Sequence, residues 1–289
     1  LKGQAATAAG AWATSGALNT ARNSLGGTGT QTAALAFGGQ PPNTAVTELY
    51  NGSSWTEVND LNTARNGPGG FGTSTSSLAY GGEGGAPNPK NETELWNGTN
   101  WTEVNNLNNT GKYIGRAGTD STAGLAVSGI GPDNSTPVAN VELWNGTNWT
   151  ETTDVNTARD NLGGSGTSTA ALAFGGTPPG GLANTEVWNG SSWTEVNDLN
   201  TGRYSGASAS QNSTSTFYAG GASPPTVAST EIWNGTNWTE EGDLNSARSA
   251  VSGAGTATAG IAFGGSGPTG ATEEFTGAGA VQTRTFTDS

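Results

Sequence analysis

Arginine and glutamate return at matched places along the chain: Arg22, Arg65, Arg159, Arg203 and Arg248, with Lys112 in the sixth basic place, and Glu48, Glu94, Glu142, Glu186 and Glu231. Paired carboxylates are the groups that hydrolyse glycosides, one as acid and one as base or nucleophile. A glutamate copied into unit after unit, however, behaves as a structural part. The basic series admits two arrangements, a cationic ring or a set of ties. In the second, which we expect, each guanidinium uses its five donors to bind a loop to backbone carbonyls of the unit that follows. Other chemistry has little to draw on. Without histidine there is no ordinary general base near neutral pH and no commonest transition-metal ligand, and without cysteine there is no thiolate nucleophile. Asp60, Asp198 and Asp243 could lend oxygens to Ca²⁺ or close Asx turns. No spaced set of carboxylates resembles a calcium loop. The expectation is a non-catalytic protein with no cofactor and no metal.

The elements that hold these residues announce themselves through tryptophan. Trp12, Trp55, Trp101, Trp149, Trp193 and Trp238 stand 43, 46, 48, 44 and 45 residues apart. A fixed period in that range marks a supersecondary unit copied along a solenoid or propeller. One unit, from Leu61 to Val104, divides into four short strands at its turn signals. Strand a is the Gly-rich stretch 66–73, strand b is 76–82, strand c is Thr93–Trp96 and strand d is 100–104. Asn97-Gly98 between c and d recurs as Asn51-Gly52, Asn145-Gly146, Asn189-Gly190 and Asn234-Gly235, a pair suited to the positive φ of a tight hairpin. In strand b, Leu35 and Phe37 face one way while Ala34 and Ala36 face the other. A sheet with one bulky and one small buried face suits stacking between two neighbours, and four-stranded sheets stacked radially form a β-propeller.

Composition limits the alternatives. Leu, Ile, Val and Phe make up only about 13% of the chain, a level at which disorder comes under suspicion. Charged residues are also scarce, at 11%, and the large aromatics recur in register. A globular all-β protein follows, with a core of Ala, Gly and Trp in place of aliphatic bulk. A net charge of −13 with ten scattered Lys and Arg argues against nucleic acid. No apolar run reaches membrane-spanning length, and the start LKGQAATAAG has no apolar core of a signal peptide.

An arginine after a short loop (Arg65), a Gly-rich strand, a strand ending in Gly81-Gly82, then Glu94-Leu95-Trp96 and Trp101: this pattern resembles the kelch repeat over nearly the whole chain. The Trp-Asn-Gly-Thr-Asn-Trp-Thr-Glu units look most like kelch-like repeat proteins of marine bacteriophages, where such arrays occur in virion or fibre-associated proteins. The resemblance implies a six-bladed propeller of four-stranded antiparallel blades, with repeats at about 18–60, 61–106, 107–154, 155–198, 199–243 and 244–276. A strand from 9–16 would close the ring against Thr272-Glu273-Glu274-Phe275, with 282–287 as a rival closing strand. The Cys–Tyr copper site of kelch-fold galactose oxidases cannot be built here. The Ser-x-Asp-x-Gly-x-Thr-Trp box of six-bladed sialidases is not found, which leaves a glycan-active enzyme as the weakest alternative. The resemblance implies a virion or extracellular surface protein that meets other assembly proteins and a host-surface glycan, used for adhesion or receptor recognition. A purely architectural decoration or spacer is the alternative.

Candidate contacts follow from strand direction. The b–c and d–a connections leave one face of the disc and the a–b and c–d turns the other. The b–c loops differ in every blade, as recognition loops on a rigid scaffold do, or as unconstrained loops drift. They supply Asn88, Lys90, Asn91, Asp133 and Asn134 as candidate ligand residues. Two d–a loops depart from the Ala-Arg pattern, carrying Lys112-Tyr113 and Arg203-Tyr204. An aromatic beside a cation at a channel mouth could stack on and hydrogen-bond a sugar ring; equally, the tyrosines could refill space lost to local changes.

Overall fold

The computed structural model describes residues 9–278 apart from 87, 179 and 210. After β1 (Ala11–Ser15), blade one contains β2 (Gly26–Thr30), β3 (Ala33–Phe37), β4 (Thr47–Tyr50) and β5 (Trp55–Val58). Blade two contains β6 (Gly69–Gly72), β7 (Ser77–Tyr80), β8 (Thr93–Trp96) and β9 (Trp101–Val104). Blade three contains β10 (Gly115–Asp120), β11 (Ala123–Ile130), β12 (Pro137–Trp144) and β13 (Trp149–Thr152). Blade four contains β14 (Gly163–Gly166), β15 (Ala171–Phe174), β16 (Thr185–Trp188) and β17 (Trp193–Glu195). Blade five contains β18 (Ala207–Ser208), β19 (Thr216–Ala219), β20 (Thr230–Trp233) and β21 (Trp238–Glu241). Blade six is assembled from both ends of the described chain: β22 (Ser252–Gly255), β23 (Ala259–Phe263) and β24 (Thr272–Thr276) are completed by β1. The register runs from Ala11 opposite Thr276 to Ser15 opposite Thr272. The innermost strands β2, β6, β10, β14, β18 and β22 pack side by side in a closed circle. The molecule is a six-bladed β-propeller whose ring closes by pairing of N- and C-terminal strands. The rival closing strand at 282–287 lies outside the described residues.

Each blade interface repeats one piece of packing. Leu35 and Phe37 bury against Trp96 and Trp101 of blade two, while Ala34 and Ala36 receive Ile261 and Phe263 of blade six. Glycine on the inner strand makes the close approach possible: a Cβ on Gly70 would stand 2.6 Å from Phe37 Cζ, and one on Gly27 would stand 2.5 Å from Phe263 Cζ. The scarcity of aliphatic residues is thus met by aromatic rings lying on bare backbone.

The periodic tryptophans are the hooks between blades. The indoles of Trp55, Trp101, Trp149, Trp238 and Trp12 each donate to a threonine hydroxyl on strand c of the preceding blade: Thr272, Thr47, Thr93, Thr185 and Thr230, at 2.9–3.1 Å. Blade three has Val141 where the others have threonine, and there Trp193 donates to the Thr153 carbonyl at 3.2 Å. The c–d turns differ in one respect from the sequence expectation. Only the glycine takes positive φ, as at Gly98 (+93°), while the Asn97 side chain accepts from the Thr99 and Asn100 amides.

Candidate functional site

The b–c and d–a loops share one face. In blade one, Gly39 N donates to Arg65 O, while Leu61 N and Arg65 N donate to Ala45 O and Thr44 O. Where the d–a loops reach the axis, one residue per blade adopts the left-handed conformation: Ser24, Gly67, Tyr113, Asn161, Ser205 and Ala250, with φ between 51° and 60°. Their peptides form a ring of hydrogen bonds. Ser24 N donates to Ala250 O, Gly67 N to Ser24 O, Tyr113 N to Gly67 O, Asn161 N to Tyr113 O and Ser205 N to Asn161 O. The Val251 amide closes the circle on Ser205 O at 3.4 Å.

This ring frames a mouth of ≈100 Å³ whose rim is polar and whose collar is apolar, with Leu25, Ile114, Leu162 and Val251 beneath the rim. A second cavity of ≈100 Å³ shares the collar and reaches Arg116 on the inner face of β10. Arg116 stands where the other blades have Gly27, Gly70, Gly164, Ser208 and Gly253. Its guanidinium crosses the axis and donates to the carbonyls of Gly27, Ser208 and Gly253, on blades one, five and six. Burial pushes its pKa down to about 10. No carboxylate among the described residues pairs with it. The sequence reading missed this residue, although an arginine inside an otherwise glycine-rich strand was visible.

The recurring arginines and glutamates meet inside the blades. Arg22 pairs with Glu48, Arg65 with Glu94, Arg159 with Glu186, Arg203 with Glu231 and Arg248 with Glu273, all buried. Carbonyls complete the arrangement: Ala36 O for Arg22, Gly81 O and Glu92 O for Arg65, Tyr218 O for Arg203. The carboxylate partner was not anticipated. Lys112 does not fill the sixth place. The bridges Asn66–Glu83, Lys112–Ile130 and Asp160–Thr177 align Lys112 with Asn66 and Asp160, so Gly111 stands at the arginine position.

The candidate ligand residues separate accordingly. Tyr113 lines the mouth; its hydroxyl donates to Asn66 Oδ1 at 3.3 Å, Lys112 Nζ lies 5.4 Å from its ring, and burial raises its pKa. Tyr204 stands one position earlier in its loop, bridged to Ala222, and does not line the mouth. Lys112 is 9% exposed and salt-bridged to Glu83 at 2.8 Å; Lys90 is 3% exposed and lies 3.5 Å from Glu92. Arg203 is fully buried against Glu231. These cations are neutralised within the fold rather than offered to solvent. Asn88 donates to Glu83 and Asn91 to Leu107 O. Asp133 is exposed, and bonds from Thr136 and Ser135 hold its carboxyl down at about 2; Asn134 beside it is left-handed at φ 62°. Asp60 and Asp198 accept from the amides of Thr47 and Thr185, capping strand c. Among the described residues no cluster of three or more potential metal-ligating acids forms.

Every described lysine and arginine is buried or half-buried, whereas Glu57, Glu103, Glu151, Glu195 and Glu240 remain exposed on the outer strands. The accessible charge of the described residues is therefore anionic. Among the described residues no helix is long and apolar enough to cross a membrane. No protein-family model matches the chain, and no curated protein matches it.

Proposed function

We propose that this propeller is a non-catalytic recognition module of a virion or extracellular surface assembly, kelch-like in its repeat, which receives an uncharged glycan at the channel mouth. The observation that supports it most is the composition of that mouth. It offers one tyrosine ring, an apolar collar and a neutral polar rim of Ser24, Asn161 and Ser205, whose side-chain donors are held by Asn23, Asp160 and Asn161 and whose oxygens keep acceptor capacity, a mixture suited to stacking on a sugar face and accepting from its hydroxyls. The variable b–c loops surround the same opening. The anionic exterior disfavours phosphate-rich polymers. The recurring glutamates that a glycosidase would need are engaged with backbone amides and, in every blade but the third, with a buried guanidinium, which supports a binding role over a catalytic one. The near-identical Trp-Asn-Gly-Thr-Asn-Trp-Thr-Glu units are the basis for placing it on a phage particle, with other virion proteins as neighbours.

A glycan array probed with the intact protein tests this. Saturable binding of a neutral glycan, lost in Tyr113→Ala and retained in Tyr204→Ala, is the expected result. Absence of any bound glycan, with the b–c loops covered by other subunits in an image of the particle, would establish the architectural reading instead.

A further inference from the structure

Blade three breaks the buried ion-pair series on one side only. Glu142 keeps the carboxylate, 5% exposed, and its oxygens accept from the Asn108 amide, the Asn108 side chain and the Asn109 amide at 2.8–3.0 Å. Glu48 accepts the equivalent three bonds from Asn19 and Thr20 and a guanidinium besides, as Glu231 does from Asn200, Thr201 and Arg203. Glu142 has no lysine or arginine within salt-bridge distance among the described residues, because its blade carries Gly111 at the arginine position.

Apolar side chains of Leu107, Ile114, Ile130 and Val138 close a cavity of ≈30 Å³ that stands in the guanidinium's place; the rest of its lining includes Asn109, Gly111, Ala126, Ser128, Asn140 and Glu142. These are the blade-three counterparts of the groups that hold arginine elsewhere. Arg22 donates to Thr20 O, Glu48 and Ala36 O; Arg65 also reaches Gly81 O; Arg248 reaches Ala271 O. The residues at the acceptor positions are thus retained while the donor is missing, and Asn109 and Asn140 keep partial exposure, so the space communicates with solvent. A buried carboxylate without a cation is the costly half of a broken pair, and an array of carbonyls and one carboxylate arranged for a planar fork selects that fork.

We propose that the blade-three cavity is a binding site for a guanidinium group, either a small guanidinium ion or the head of an arginine side chain presented by a partner. Calorimetric titration of the intact protein with methylguanidinium, N-acetyl-arginine amide, tetramethylammonium and sodium chlorides at matched ionic strength tests it. Methylguanidinium should bind saturably with one site and raise the melting temperature. Its affinity should fall roughly tenfold or more in Glu142→Gln, which removes the charge from the charge-assisted bonds. It should also vanish in Gly111→Arg, where the chain's own side chain occupies the space. A Cβ there meets Ile114 Cδ1 at 3.1 Å and Ile130 O at 3.2 Å, so Glu142→Gln carries the test if that variant misfolds. Binding of both methylguanidinium and N-acetyl-arginine amide assigns an arginine side chain as ligand; binding of methylguanidinium alone assigns a small cation. Equal binding of sodium or tetramethylammonium, no binding of methylguanidinium, or unchanged affinity in Glu142→Gln overturns the proposal.

Discussion

Each blade holds one buried glutamate whose two oxygens are divided between the amides of the entering loop and, in five blades, a guanidinium. Such a pair adds little over well-packed apolar residues, but removing one member strands the other without water. Glu231→Gln should therefore cost about 3–5 kcal/mol in urea unfolding, since it leaves Arg203 buried beside a neutral amide. Glu142→Gln should cost distinctly less, because no guanidinium is left behind there. Equal losses in the two variants would show that the amide bonds, and not the ion pair, carry the effect.

At the scale of the element, the strands were legible because every blade repeats the same compromise between bulk and bare backbone. The alternation in Ala34-Leu35-Ala36-Phe37 could be read directly, and so could the inter-blade aromatic packing it implies. Three things could not. Lys112 invites alignment with the arginines by charge, yet the bridge to Ile130 fixes its place by backbone pairing, which a single sequence does not display. The course of Arg116 across the axis depends on carbonyls from three other blades brought near only by ring closure. The left-handed rim was equally hidden, since only Gly67 and Asn161 among its six members are residue types that favour positive φ. Ala250 holds φ 53° without a side-chain reason, and the left-handed form costs a non-glycine residue roughly 1–2 kcal/mol. Ala250→Gly should accordingly stabilise the protein by about 0.5–1 kcal/mol after the added freedom of the unfolded chain is subtracted. A loss of stability would mean that the alanine methyl packs in a way the rim geometry does not reveal.

For the whole molecule, burial of phenols sets the alkaline limit. Tyr218 is pushed up to about 12 by burial, and Tyr80 is raised further by the same cause. An unfolded tyrosine loses its proton near pH 10, roughly the reference value. Between about 10 and 12 the unfolded chain is deprotonated while the folded one is not, so stability is complete below that window and falls as pH rises through it. Tyr50, pushed up to about 12, and Tyr113, raised by burial, add to this loss, whereas Arg116, pushed down to about 10, and Arg22, Arg159 and Arg248, lowered by the same cause, act in the opposite sense. Phenolate absorbance from these tyrosines should appear together with the loss of circular dichroism; its appearance in the folded protein would contradict their burial. Ring closure is the claim on which the mouth, its collar and the single recognition face all depend. Because the chain has no cysteine, the pair Ala11→Cys and Thr276→Cys, directly opposite in register, gives a clean readout with a short thiol crosslinker. The account predicts rapid intramolecular crosslinking of the folded monomer, abolished by unfolding in urea; two freely alkylated thiols that never join would show that the ends do not meet.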